Sequence, residues 1–254
     1  MLPQQRREKI LDLITEDGHA TVLQLSKIFK VTEVTIRQDL EKLEKEGSIE
    51  REHGGAYLKN VGLNVKNIVL QNQDHIPEKA AIAKKALDHI NDGDTIILDS
   101  GSTTTEIAKL ITNFKNLTVI TNSLNISLIL GVIPDINLIV TGGEFKAPTL
   151  SLTGQKAADF FQGIHVDKLF LATAGITLKS GLTYPSISDI VVKRAMIESA
   201  NEVYLVADSS KVGKSAFASL GALSLIDYLI TDAYIREEDI VMLKNNDIKI
   251  IVAG

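Results

Sequence analysis

The stretch Val31-Thr32-Glu33-Val34-Thr35-Ile36-Arg37-Gln38-Asp39-Leu40-Glu41-Lys42-Leu43-Glu44 carries two kinds of residue in one helical period. At 100° per residue, Ile36, Leu40 and Leu43 fall on one stripe that faces a small core. Val34, Arg37, Gln38, Glu41 and Lys42 fall off it, with Thr35 at its edge. Thr32 is suited to cap the start of this helix and Gly47 to end it. Upstream, Ile10, Leu11 and Ile14 share a face of a first helix over residues 4–16, stopped by Gly18. Thr21 can cap a second helix, whose Val22, Leu25, Ile28 and Phe29 make one apolar stripe. Downstream, Ser48 to Tyr57 alternates weakly and turns at Gly54-Gly55, as a small β-hairpin does.

A short second helix followed by a third with a polar outer face is the arrangement that presents side chains to a DNA major groove. Arg37 can bind guanine in bidentate fashion and Gln38 adenine, while Val34 and Thr35 offer methyl groups to thymine. Lys42 suits a phosphate, and Arg51 and His53 on the hairpin suit a phosphate or the minor groove. The competing reading is an ordinary solvated helix face. Residues 1–60 hold ten Lys/Arg against eleven Asp/Glu, so attraction to phosphates must come from a few local cations. Asp39, beside the core stripe, reads as structural, a partner for a basic residue of the first helix.

Composition narrows the rest. The chain has 254 residues, enough for one or two domains. It has no Cys, which excludes disulfides, thiol catalysis, Cys-based zinc sites and iron–sulfur clusters. The five His are scattered and none has metal-ligand spacing, so neither a metal nor a cofactor is expected. No apolar run suits a membrane span and the start lacks a signal-peptide pattern, so a cytoplasmic protein is expected. A net charge of −5 leaves room only for local basic patches.

Residues 58–76 show no regular pattern and read as a linker. From Pro77 onward, helical stretches alternate with nearly continuous apolar runs: Thr95–Leu98, Leu117–Thr121, Ile136–Thr141, Lys168–Thr173, Glu202–Ala207, Tyr228–Thr231 and Ile248–Val252. Such runs suit strands buried on both faces of a parallel α/β sheet. The organisation expected is therefore a winged helix-turn-helix over 1–57, a linker over 58–76 and an α/β domain over 77–254.

Polar loops follow several of these runs. Asp99-Ser100-Gly101-Ser102-Thr103-Thr104-Thr105 leads from the first strand into a helix, the layout that aims backbone N–H groups and the helix dipole at an anion. It is neither a Walker A loop nor a dinucleotide fingerprint. Gly101 is expected to let the backbone approach a phosphate closely, with φ > 0. Thr121-Asn122-Ser123, Thr141-Gly142-Gly143, Thr173-Ala174-Gly175 and Asp208-Ser209-Ser210-Lys211 follow later strands. Loops past the carboxyl ends of parallel strands form the ligand crevice of such sheets. A small, anionic, hydroxylated ligand is the expectation, with Lys211 supplying charge.

The run Thr35-Ile36-Arg37-Gln38-Asp39-Leu40 and the His53-Gly54-Gly55-Ala56 end of the hairpin closely resemble the DNA-binding domain of the deoxyribose-operon repressor (DeoR) family. Asp99–Thr103, Thr121–Ser123, Gly142-Gly143 and Ala207–Lys211 resemble that family's effector domain, so the resemblance spans about Gln4 to Val252. It implies an N-terminal winged helix-turn-helix and a C-terminal Rossmann-like α/β effector domain akin to sugar-phosphate isomerases. It implies a repressor of a sugar-metabolism operon that binds double-stranded operator DNA and is gated by a phosphorylated sugar effector. The residues it singles out for the effector are Asp99, Ser100, Gly101, Ser102, Thr103, Thr104, Thr121, Asn122, Gly142, Gly143, Thr173, Gly175, Asp208 and Lys211. Two-fold half-sites call for a homodimer or homotetramer. The sequence departs from the family at Ala174, where relatives carry Asp or Asn, and at Gly181–Asp189, where the expected acidic residue is displaced. The sugar therefore cannot be carried over from a relative. The rival reading is a sugar-phosphate isomerase-like enzyme with an appended DNA-binding domain, with Asp99 or Asp208 as the carboxylate base. A winged helix that binds protein rather than DNA is a third.

Overall fold

The computed structural model describes residues 1–52, 54–58, 74–146 and 149–254. The chain divides into two compact units, Met1–Gln71 with Lys146–Thr149, and a larger one of Asn72–Phe145 with Leu150–Gly254.

In the first unit, α1 (Pro3–Asp17) ends at Gly18, whose φ of 79° is a left-handed stop. β1 (His19–Thr21) follows, then α2 (Val22–Phe29) and α3 (Glu33–Lys45). Thr21 accepts a hydrogen bond from the Gln24 N–H, and Gln24 reaches back to the Thr21 N–H, a reciprocal cap. Thr32 caps α3 by accepting from the Thr35 N–H. β2 (Ile49–Glu52) and β3 (Gly55–Leu58) form the wing, with Glu52 opposite Gly55. The hairpin is thus as short as the glycines suggested. β1 was not legible in the sequence: it pairs antiparallel with β3, His19 opposite Tyr57, and completes a three-stranded sheet in the order β1-β3-β2. The core of this unit includes Ile10, Ile14, Leu25, Ile36, Leu40 and Ile49, all fully buried.

Asp39 is 4% exposed and accepts from Arg6 Nε at 2.6 Å, with Arg7 at 3.8 Å. The carboxylate of α3 is therefore held by the first helix, as expected of a structural residue. His53 and most of the expected linker, 59–73, lie outside the described residues.

The second unit opens with α4 (Ile76–Ala86) and β4 (Thr95–Leu98). It continues through α5 (Ser102–Leu110), β5 (Leu117–Thr121), α6 (Leu124–Leu130) and β6 (Ile136–Val140). β7 (Glu144–Lys146) and β8 (Ser151–Thr153) pair with each other. Then come α7 (Gln155–Asp159), β9 (Val166–Leu171), β10 (Gly175–Thr177), β11 (Gly181–Tyr184), α8 (Ile187–Ser199) and β12 (Ala200–Val206). β13 (Ala218–Gly221), β14 (Tyr228–Asp232), α9 (Glu237–Lys244) and β15 (Lys249–Ala253) complete it.

All seven apolar runs join one sheet, ordered β15-β14-β12-β9-β4-β5-β6, and every pairing in it is parallel. Helices cover both faces, which is why these strands need apolar residues on both sides. One core layer includes Ile97, Leu169, Leu205 and Leu229, the other Ile96, Leu98, Phe170 and Ile230. A second sheet, β10-β11-β13, was not expected: its strands are three or four residues long and rich in Gly and Thr.

Candidate functional site

α3 presents its polar face as the helical period requires. Val34 is 64% exposed, and Arg37, Gln38 and Lys42 are exposed, while Thr35 is half-buried with its hydroxyl 3.0 Å from that of Thr32. Arg37 pairs with Glu33 at 3.1 Å on the same face. On the wing, Arg51 Nε donates to Glu44 at 2.7 Å and so ties β2 to α3. That bond holds the Glu44 carboxyl below its ordinary range. Pairs this exposed contribute little to stability, so Arg37 and Arg51 can exchange a carboxylate for a phosphate or base at little cost.

In the larger unit, the strand order reverses between β4 and β9, and that switch point is where doubly wound sheets bind ligands. Because the sheet is parallel, the loops after β4, β5, β6, β9 and β12 all emerge at one edge. The structure thereby brings together the loops that the sequence singled out: 99–105, 121–123, 141–143, 173–175 and 208–211.

Their side chains divide into scaffold and mouth. Asp99 is fully buried and accepts from the backbone N–H groups of Ser100 and Ala172. Both its oxygens also receive Lys193 Nζ at 2.7 Å. Lys193, on α8, lies 4.8 Å from the centre of the Tyr184 ring, and the Tyr184 hydroxyl donates to the Ala172 carbonyl. Burial, and then the charge of Asp99, push the Tyr184 phenol well above its ordinary value, so it stays a neutral donor. Thr104 donates to the Asp99 carbonyl, Thr121 to the Leu98 carbonyl, and Thr173 to the Gly175 and Thr183 carbonyls. Asn122 accepts from the Ser100 N–H and donates to the Leu152 carbonyl, joining two loops and β8. These hydroxyls and amides shape the crevice from within.

Gly101 has φ −158°, ordinary extended backbone, so the expected positive φ is not found. The reason for glycine is contact instead: a Cβ there would sit 2.5 Å from the Ala172 Cβ. Gly143 does have a positive φ, 137°, and packs against the Thr153 backbone. Gly142 is exposed and Gly175 is buried beneath Lys214.

The mouth is formed by α5. Gly101 is its N-cap and supplies no side-chain bond, so the first N–H groups, those of Ser102, Thr103 and Thr104, have no cap partner. The helix packed against it, α4, carries Lys79, which feels the charges of Lys211, Asp208 and Glu106. Lys79, on α4, is 5% exposed and donates to the Asp74 carbonyl at 2.6 Å. Burial lowers its pKa, and the nearby charge of Lys211 lowers it further, while Asp208, Asp74 and Glu106 oppose the shift. Two lysines within mutual repulsion beside an uncapped helix start make a strongly anion-seeking spot. Asp208 is 1% exposed. One oxygen accepts from the Ser210 N–H, and its Oδ2 has no hydrogen-bond partner among the described residues.

Lys79 and Lys193 were missed in the sequence. Each sits in a helix where a lysine looks solvated, and only the fold turns them inward. Asp189 is 5% exposed on α8, one turn before Lys193, and its charge is felt by Tyr184. Among the described residues no group of His and carboxylates could hold a metal ion.

The DeoR-like helix-turn-helix domain matches residues 6–60, and the DeoR C terminal sensor domain matches residues 74–233. The chain belongs to the DeoR family. Relatives along nearly its whole length are named transcriptional regulators. The HTH-type transcriptional regulator GolR of Listeria innocua is 36% identical over 93% of each chain. The glycerol-3-phosphate regulon repressor of Escherichia coli is 33% identical over 90% of each. The regulator YulB of Bacillus subtilis is 35% identical over 98% of this chain and 96% of its own. Among solved structures, ribose 5-phosphate isomerase A of Methanocaldococcus jannaschii aligns over 53% of each chain at 18% identity with a TM-score of 0.39, a likeness too loose to bear on ligand or reaction. No helix among the described residues is long and apolar enough to cross a membrane.

Proposed function

We propose that this DeoR-family regulator represses a sugar-metabolism operon and releases its operator when a phosphorylated sugar or polyol enters the crevice at β4 and β9. The observation that carries this reading is the uncapped start of α5, beside a helix whose buried Lys79 feels the charges of Lys211, Asp208 and the α5 residue Glu106. The helix N–H groups and the two ammonium groups take the phosphate. Asp208 Oδ2, a buried acceptor without a donor among the described residues, takes a hydroxyl of the same molecule. The name of the E. coli relative, a glycerol-3-phosphate regulon repressor, is consistent with an effector of this class. The polar face of α3 reads the operator and the wing Arg51 grips its backbone, with binding in the cytoplasm where that DNA lies.

The geometry disfavours an isomerase. An enolising base must be unpaired and able to take a carbon-bound proton. Asp99 is instead fully buried and neutralised by Lys193 and two backbone donors. Asp208 keeps one oxygen on the Ser210 N–H and hydroxyl, and the reading assigns the other to a ligand hydroxyl.

A thermal-shift screen of the full chain against sugar and polyol phosphates tests the reading. A ligand at about 100 times its Kd stabilises by ~2.7 kcal/mol. The matching compound should also release DNA in a mobility-shift titration. A panel in which no phosphate ester shifts the melt would overturn it.

A further inference from the structure

Among the described residues, the edge of the seven-stranded sheet at β6 is open: β6 pairs only with β5, and among residues 124–143 Asp135 is the one charged side chain. Proteins guard open edges with charge, proline or bulges, because unpaired N–H and C=O groups recruit another strand. The opposite edge, β15, begins with Lys249. Within Ile136-Asn137-Leu138-Ile139-Val140 there is no such guard. The helix before it is equally unguarded. α6 buries Ile126 and Leu130, yet Leu128 on its outer side is 76% exposed and Val132 just after it 77%. Large apolar side chains this exposed beside an open edge mark an interaction surface.

We propose that β6 is the surface on which two copies of this chain join, strand to strand, about a two-fold axis. The inference rests on the reading as an operator-binding regulator only in that two-fold half-sites call for two copies. The backbone fits the pairing. Thr141 N–H donates inward to the Thr121 carbonyl, so by alternation the amides of Leu138 and Val140 point outward. An antiparallel pair centred on Leu138 then puts Leu138 opposite its equivalent and Ile136 opposite Val140. Ile136 and Leu138 face the layer that α6 covers, so the same axis, perpendicular to the sheet, sets the two α6 helices side by side. Leu128 and Val132 meet their equivalents there. Charge also permits it: Asp135 falls opposite uncharged Thr141, and its carboxylate is already paired with Lys115. Pairing of one strand with itself is isologous and closes at two copies, so the exposed edge yields a dimer rather than a fibre.

The decisive experiment measures the mass of the full chain in solution without DNA, by light scattering, for the parent and for Val140→Lys and Leu128→Glu. Both positions are exposed in the single chain, so each variant should melt as the parent does. The parent is expected as a dimer or an even multiple, and each variant at half the parent mass with weakened operator binding. Because the chain has no Cys, Val132→Cys can carry the only spin label, and its expected signature is one short distance between copies. A parent that is monomeric at micromolar concentration overturns the proposal. So do variants of unchanged mass, or labels that stay far apart in an intact dimer. In these last two cases a repressor that still binds its operator and effector leaves the functional reading standing.

Discussion

Lys193 is worth following first, because its two bonds to Asp99 hold the crevice in shape. Removing one partner of a buried pair leaves the other charge without compensation, at a cost of about 3–5 kcal/mol. Lys193→Ala is therefore expected to lower the urea midpoint strongly, whereas replacing Asp99 and Lys193 together should cost less than the sum of the single changes. Additive losses in a double-mutant cycle would show that the pair is not coupled. Lys79 makes a different prediction, about pH. Its pKa is depressed in the free fold, first by burial and then by Lys211. A bound phosphate raises it again, so binding takes up a proton on the alkaline side, and affinity falls as pH rises through the depressed value. Stability of the ligand-free fold moves oppositely: it rises over the same interval, as the unfolded chain keeps the proton longer. Calorimetry in two buffers of different ionisation enthalpy reads the uptake, and Lys79→Met should abolish it.

At the scale of the element, α3 separates a stripe that folds from a face that reads DNA. Arg37→Ala is expected to weaken specific binding by ~1–3 kcal/mol and relax preference at one base position. Lys42→Ala should weaken all sequences alike and flatten the salt dependence. Equal loss on specific and random DNA for Arg37→Ala would move that residue to the phosphate class. Asp39→Ala should instead unfold the winged unit by stranding the buried Arg6, with effector binding retained. Helices, caps and the seven strands were legible because their signals are local: a 3.6 period, Thr before an apolar stripe, an unbroken apolar run. β1 was not, since three residues have no period and are strands only because β3 lies beside them. The polar loops were legible as a set but not role by role. Thr104, Thr121 and Thr173 look like ligand hydroxyls in sequence and are spent on backbone carbonyls in the fold. Gly101 reads as a turn glycine, yet it is small for the sake of Ala172.

For the molecule as a whole, effector and operator must communicate by linkage. A coupling of ~1–3 kcal/mol changes operator affinity roughly 5–150-fold, and the operator must then change effector affinity by the same factor. Effector Kd measured with and without operator DNA is expected to differ by that ratio, weaker with DNA present for an inducer-released repressor. Equal values would separate the crevice from DNA control.

The Asp99–Lys193 contact joins residues 94 positions apart. Contacts so distant in the chain form late, because the loop between them must be closed before the contact offers any return. The helix after the anion loop is local and the pairing of β4 with β5 joins nearer residues (Thr95 with Thr118), so these form earlier, but the loop is not locked until α8 docks. On refolding, far-ultraviolet dichroism should therefore recover ahead of effector binding, so that a newly made chain passes through an interval in which it is already helical and sheeted but still deaf to its metabolite.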